Sequence, residues 1–193
     1  MLRRLYDRTM ALASGRQAEP ALAAVAFAES SFFPIPPDLL LIPMVLAERA
    51  KAWRFALVAT VSSVVGGLAG YFIGAFLFNE LARPLLDFYG YGAKFDEFAA
   101  MYNDWGVWIV LFAGLTPFPY KVITIASGAT GLNIAVFMIA SVLARGGRFF
   151  IVAALLYWVG PPIRAFIEKR LGLVFTAFMV LLVGGFVVAR YMI

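Results

Sequence analysis

The 193-residue chain contains no cysteine and no histidine. Disulfides, thiolate or imidazole metal ligands and histidine bases are therefore excluded. So are the membrane phosphatases that work through a histidine nucleophile. Charge is scarce too, with Asp, Glu, Lys and Arg making up 14% of the residues. No cluster has metal-ligand spacing, so no metal, no cofactor and no enzymatic activity are expected. What the chain has instead is apolar surface: 63% hydrophobic residues and a mean hydropathy of +0.89, against about half apolar in a soluble domain. That is the composition of an integral membrane protein. The net charge of +5 and pI near 9.7 come from basic residues dispersed in connecting segments. The positive-inside rule explains that pattern better than nucleic-acid binding does.

Arg3, Arg4, Arg8 and Arg16 precede any long apolar run. No compact apolar core or small-residue cleavage site follows, so a cleavable signal peptide is not indicated. Leu2, Leu5, Tyr6, Met10 and Ala13 recur at near-helical spacing, which predicts an interfacial amphipathic helix within residues 1–19.

Two proline-broken stretches interrupt the apolar chain. Pro34-Ile35-Pro36-Pro37-Asp38 lies in block 20–49, and Pro117-Phe118-Pro119-Tyr120-Lys121 lies in block 105–130. In both, Pro-x-Pro is followed two residues later by a charge, acidic in one copy and basic in the other. Proline lacks the donor N–H and clashes with the preceding turn, so neither block is one continuous helix. The pieces of the first block, 20–32 and 38–48, are too short for a core about 30 Å thick at about 1.5 Å per residue. Each block is therefore expected to form a re-entrant helical hairpin. Residues 52–79 and 132–159 read as spanning helices, the second ended by Pro161-Pro162. Residues 80–104 read as an interfacial segment with a turn at Tyr89-Gly90-Tyr91-Gly92, and 161–193 as a basic connector with a final span over 171–190. Gly66, Gly70 and Gly74 form a small-residue seam for close helix approach, within the chain or to a second copy in a homo-oligomer.

With the N-terminus cytoplasmic, Arg49, Lys51, Arg54, Arg164, Lys169 and Arg170 fall inside and the acidic connector 80–104 falls outside. The expected fold is thus all-α, two oppositely oriented hairpins plus spanning helices in an inverted repeat. The repeat is loose: Pro36 to Gly66 is 30 residues, and Pro119 to Gly146 is 27. Paired interrupted segments of this kind are the best sequence pointer to a membrane transport site.

Five ionisable groups sit inside the apolar blocks: Glu29, Asp38, Lys121, Arg145 and Arg148. Each costs roughly 2.5–3.5 kcal/mol at a helix centre, so a shared polar cavity with paired charges is expected. Glu29 reads as a proton-coupling carboxylate, or as half of a salt bridge holding the hairpin. Asp38 reads as a second proton carrier, or as a residue answering the dipole of the helix it opens. Lys121 opens a helix as a cation, which the dipole opposes; with the free N–H groups and Thr116 and Thr124 it reads as an anion site, or as a partner of Glu29 or Asp38. Arg145 and Arg148, three apart on one helix face, suit a phosphate, or ion bridges to Glu29 and Asp38.

These residues resemble the DedA family, also described as SNARE-associated or VTT-domain proteins. The resemblance covers about residues 20–160. It rests on Glu29 with the following Pro-x-Pro and Asp38, on Gly66-Gly67-x-x-Gly70-Tyr71-x-x-Gly74, and on Pro117-x-Pro119-Tyr120-Lys121 followed by Ala126-Ser127-Gly128. It implies two facing re-entrant hairpins, location in a bacterial inner membrane, and movement of lipids, including the polyprenyl phosphate carrier of wall synthesis, with proton dependence. The family's acidic pair falls on Glu29 and Asp38, and one of its arginines on Lys121. The chain departs from many members in reading Phe112-Ala113-Gly114-Leu115 where an arginine is common, and Arg145-Gly146-Gly147-Arg148 where Asn and Gly-Ala are common. It looks like a subgroup with a Pro-Tyr-Lys second motif. The function expected is translocation of an anionic, phosphate-bearing lipid, with membrane lipids and protons as partners. The alternatives are a proton-coupled transporter of small solutes or ions, and a non-transporting scaffold.

Overall fold

The computed structural model describes residues 15, 17–33, 35–116 and 118–169. The amphipathic helix expected within 1–19 (apart from its last residues), the final span 171–190, Pro34 and Pro117 lie outside the described residues. Among the described residues the chain is all helical, with no strand. Two of these described helices are long and apolar enough to cross a membrane, and a bent pair allows a third.

Helix α1 spans Ala18–Ser31 and α2 spans Asp38–Ala47. Between them the chain opens where the prolines withdraw their donors. The N–H groups of Phe32 and Phe33 both turn back to the Ala28 carbonyl, and Pro37 accepts from Leu40 and Leu41 to start α2. A short 3-10 turn, Arg49–Lys51, leads into α3, Ala52–Leu77. The helical course does not stop near residue 79. A π-helical turn, Phe78–Ala82, carries it into α4, Arg83–Phe88, so the whole run covers Arg49–Phe88, 40 residues. It ends at Gly90, whose φ of 73° is a conformation glycine adopts without steric penalty.

Helix α5, Gly92–Asp104, and α6, Gly106–Leu115, meet at a 72° bend. After the second break comes α7, Tyr120–Ala129, then α8, Ile134–Lys169. Asn133 caps α8, its Oδ1 accepting from the N–H groups of Ala135 and Val136. Pro161-Pro162 does not end α8 as the sequence suggested, since the helix runs on to Lys169. Each proline deprives the ladder of one donor, here those that would reach the Tyr157 and Trp158 carbonyls. The turns on either side hold the helical course, a tolerance that apolar helices show often.

The long helices α3 and α8 form the centre and pack against each other. The short helices divide between them in a regular way. In each half the first arm lies on that half's own long helix, α1 on α3 and α6 on α8. The second arm crosses to the other, α2 mainly onto α8 and α7 onto α3. The glycine face of α3 makes the close approaches possible. A Cβ on Gly66 would run into the Phe27 backbone, and one on Gly74 into the Ile125 carbonyl. The seam expected at Gly66, Gly70 and Gly74 is thus occupied by α1 and α7 of the same chain.

Two apolar cores result. One gathers Leu22, Leu41, Met44, Phe55 and Phe149 from α1, α2, α3 and α8. The other gathers Val110, Tyr120, Ile123, Leu132 and Phe137 around α5 to α8. The outer faces of the long helices carry exposed large apolar side chains, among them Leu57, Val61, Phe72, Ile139, Leu143 and Ile151. An apolar exterior on helices of this length marks a protein solvated by lipid.

Candidate functional site

Along α8, Phe137 and Ala140 belong to one core and Phe149 and Ala153 to the other. Arg145 lies between them, 1% exposed. A bare guanidinium there would be prohibitively costly, and its surroundings answer most of it. Nη2 donates to Glu29 Oε2 at 2.7 Å and Nε donates to Ser63 Oγ at 2.6 Å. The guanidinium carbon sits 4.8 Å from the Tyr120 ring centre and 4.7 Å from that of Phe149, within cation–π range. Ser63 Oγ also lies 2.6 Å from Ser30 Oγ, which donates to Glu29 Oε2 at 3.1 Å. The Tyr120 hydroxyl donates to Ser141 Oγ at 2.6 Å. Helices α1, α3, α7 and α8 are tied together by this network.

One turn along α8, Arg148 performs a different connection. Its Nη2 pairs with Asp38 Oδ2, and its Nη1 donates to the Thr116 carbonyl at 2.7 Å. Asp38 opens α2 directly after the first break, and Thr116 precedes the second. A single guanidinium therefore clips the two breaks together. This pair is more open than the first, with Arg148 18% and Asp38 19% exposed.

The remaining candidates take several roles. Lys121 is partly buried in the first turn of α7 and makes no ion pair among the described residues. Thr124, fully buried, donates to the Ser30 carbonyl and so joins the middle of α7 to the end of α1. Thr116 Oγ1 turns back to the Ala113 carbonyl. Pro36, Pro37 and Pro119 stand at the breaks, with Pro37 and Pro119 immediately before α2 and α7. Two polar atoms of the charged layer are buried without a hydrogen-bond partner among the described residues, Asp38 Oδ1 and Arg145 Nη1. No group of acidic residues among those described could hold a metal ion.

Sequence reasoning missed Ser63, Ser141 and the ring of Tyr120 as parts of the layer. Hydroxyls in apolar helices usually satisfy themselves on the carbonyl four residues back, as Thr60 does on Ala56. Nothing in the sequence marks Ser63 apart from Thr60. Tyr120 lay inside the second motif, but its hydroxyl and ring serve different partners, which only the packing of α7 on α8 reveals.

The VTT domain family model matches residues 35–158. An uncharacterized protein of Haemophilus influenzae is 34% identical over 186 residues, 96% of either chain. Another, of Histophilus somni, is 32% identical over 167 residues, 86% of this chain and 87% of the other. One of Methanocaldococcus jannaschii is 26% identical over 122 residues, 63% of this chain and 72% of the other. No solved structure matches the chain.

Proposed function

This chain belongs to the VTT-domain family, the DedA family of membrane proteins, and on that premise we propose that it translocates a lipid with an anionic, phosphate-bearing headgroup, such as a polyprenyl phosphate. One observation carries the reading. The layer between the two cores holds two carboxylates and two guanidiniums in pairs, and Lys121 is left without a counter-charge among the described residues. A buried or half-buried cation without a partner is costly in a membrane, and Lys121 also opposes the dipole of α7. An oxyanion at the start of α7 answers both costs, because it meets the ammonium and the free N–H groups of the first turn. The acyl or prenyl tails of such a substrate stay in the bilayer, so no long aqueous pore is required.

We read each broken pair as a re-entrant hairpin and the whole as an inverted repeat. Helix α1 is about 21 Å long and α2, α6 and α7 are about 15 Å each, against a hydrocarbon core of about 30 Å. The matching division of arms between the two long helices supports the repeat. The N-terminus is assigned to the cytoplasm and the protein to a bacterial inner membrane. The orientation rests on the basic Arg49, Lys51 and Arg54 at one end of α3 and the acidic residues of α4 and α5 at the other, and the choice of membrane on the bacterial relatives. The acidic side of the layer, Glu29 with Asp38, supplies the carboxylate that takes up and releases a proton as the headgroup passes.

The test is reconstitution of the full chain in liposomes carrying a fluorescent phosphatidylglycerol, with an impermeant quencher outside. The protein is expected to expose inner-leaflet label to the quencher. Lys121→Ala, eluting as a folded species, is expected to slow this by about tenfold or more, the scale of one charge-assisted hydrogen bond. Folded protein that moves no anionic lipid, with lipid binding indifferent to Lys121→Ala, would overturn the reading.

A further inference from the structure

The two ion pairs of the layer differ in how firmly each carboxylate is held. Glu29 Oε2 receives both the Arg145 guanidinium and the Ser30 hydroxyl, and Arg145 is closed in by two rings and Ser63. Among the described residues Asp38 has only Arg148, and its other oxygen, Oδ1, is buried with no partner. Arg148 is not so dependent on Asp38, since the Thr116 carbonyl holds its Nη1 independently.

We infer that Asp38 and the substrate oxyanion exchange on Arg148, one proton being bound for each anion. The inference rests on the headgroup reading given above and assigns its proton step to one residue. In the resting state Arg148 Nη2 pairs with the Asp38 carboxylate. As an oxyanion approaches Nη2, Asp38 takes a proton from water and becomes a neutral acid, while Nη1 stays on Thr116. The new O–H on Asp38 forms as an O–H of a solvent hydronium breaks to leave water, and no other covalent bond changes. Two carboxylates, two guanidiniums and one ammonium leave the layer with a single positive charge. Adding one proton and one monoanion together leaves that charge unchanged, whereas adding either alone alters it in a low-dielectric setting where such a change is expensive. A neutral carboxylic acid also suits Asp38 Oδ1, the buried oxygen with nothing to receive from.

The groups facing Asp38 support this division. From α8 come Arg148 and, one turn back, Arg145; from α1 comes Glu29, already engaged. Helix α3 adds no ionisable group to the layer, since its Arg54 pairs with Glu19 and its Tyr71 donates to the Leu132 carbonyl. Of the charges next to α2 in sequence, Glu48 pairs with Lys51 and Arg49 lies over the Tyr157 ring. Glu29 becomes a positioning residue that fixes Arg145, and Asp38 becomes the proton carrier. The exchange also unclips the first break from the second, because Arg148 is what joins them.

Calorimetry on the full chain in phosphatidylcholine nanodiscs tests this. Short-chain phosphatidylglycerol serves as probe because its single negative charge does not titrate near neutral pH, and inorganic phosphate serves as the tailless control. Titrations in buffers of different ionisation enthalpy count protons. Uptake approaching one proton per phosphatidylglycerol bound is expected, with affinity falling as pH rises, towards tenfold per pH unit. Asp38→Asn is expected to abolish both the uptake and the pH dependence while still binding. Glu29→Gln, whose carboxamide oxygen still accepts from Arg145, is expected to keep the uptake. Binding without proton uptake in the unaltered protein overturns the exchange but leaves the headgroup reading standing, and this arm decides even if Asp38→Asn fails to fold. Uptake that survives Asp38→Asn, or vanishes with Glu29→Gln, overturns it as well. No binding of phosphatidylglycerol overturns both readings. Binding of inorganic phosphate alone assigns the anion site to a free solute.

Discussion

Among the described residues Arg145 is the largest side chain that the fold buries almost completely, and its stability role can be separated from any transport role. Truncating it leaves Glu29 with a desolvated charge and only a serine hydroxyl. Breaking a buried pair from one side costs about 3–5 kcal/mol, whereas replacing both partners by apolar groups is often neutral. Arg145→Leu is therefore expected to lower the thermal unfolding temperature in detergent markedly, and Glu29→Leu combined with Arg145→Leu to recover most of the loss. A double variant no better than the single one would show that the ring and Ser63 contacts, not the ion pair, hold this centre. The five charges were legible in the sequence because ionisable groups are rare in apolar blocks. Their pairing was legible only as an alternative to anion binding. Choosing Arg145 with Glu29 and Arg148 with Asp38 requires knowing which turns of α8 face which broken helix pair, and sequence spacing carries no such information across more than a hundred residues.

At the level of elements, the breaks and the long helices follow from proline chemistry and hydropathy, and the short helices flanking each break begin and end close to where the prolines place them. Two boundaries were hidden. The π-helical turn at Phe78–Ala82 lets the helix continue through the polar residues after Leu77, although their composition suggested a separate segment. Pro161-Pro162 lies within α8, since proline weakens a ladder locally without forbidding it. The Gly-Gly pairs, which look equivalent in sequence, are not equivalent in space. A Cβ on Gly66 meets backbone, whereas one on Gly146 meets only the Thr60 methyl at 3.6 Å, an ordinary contact. Gly66→Ala is accordingly expected to destabilise by about 1–3 kcal/mol, and Gly146→Ala to change stability little, as read by thermal unfolding in one detergent. Equal effects at the two sites would contradict the packing of α1 on α3 described above.

The whole molecule poses the question of how its broken pairs lie in a membrane. Because the chain has no cysteine, single cysteines report position without background. With the hairpin reading, Ala50→Cys in intact cells is expected to escape an impermeant maleimide that labels Tyr89→Cys readily. Ile35→Cys, at the first break, is expected to be protected from the outer face, since the arms turn back before reaching it. Rapid outside labelling at Ile35 would mean that α1 and α2 each cross. The number and kind of apolar segments could be read in advance from composition and proline placement. The crossing of second arms between halves could not, because nothing local in α2 or α7 favours a distant long helix over the adjacent one.

That crossing has a consequence for how the protein is made. The Glu29–Arg145 and Asp38–Arg148 partners are separated by 116 and 110 residues. At roughly 5–20 residues per second the ribosome needs on the order of ten seconds to deliver the second member of each pair. Throughout that interval the amino-terminal half carries two carboxylates with no guanidinium to meet and a second arm with no α8 to lie on. It cannot complete its core alone. The nascent first half must be held by water, by the insertion machinery or by its own protonation until the second half arrives, and helix α8 closes both halves at once.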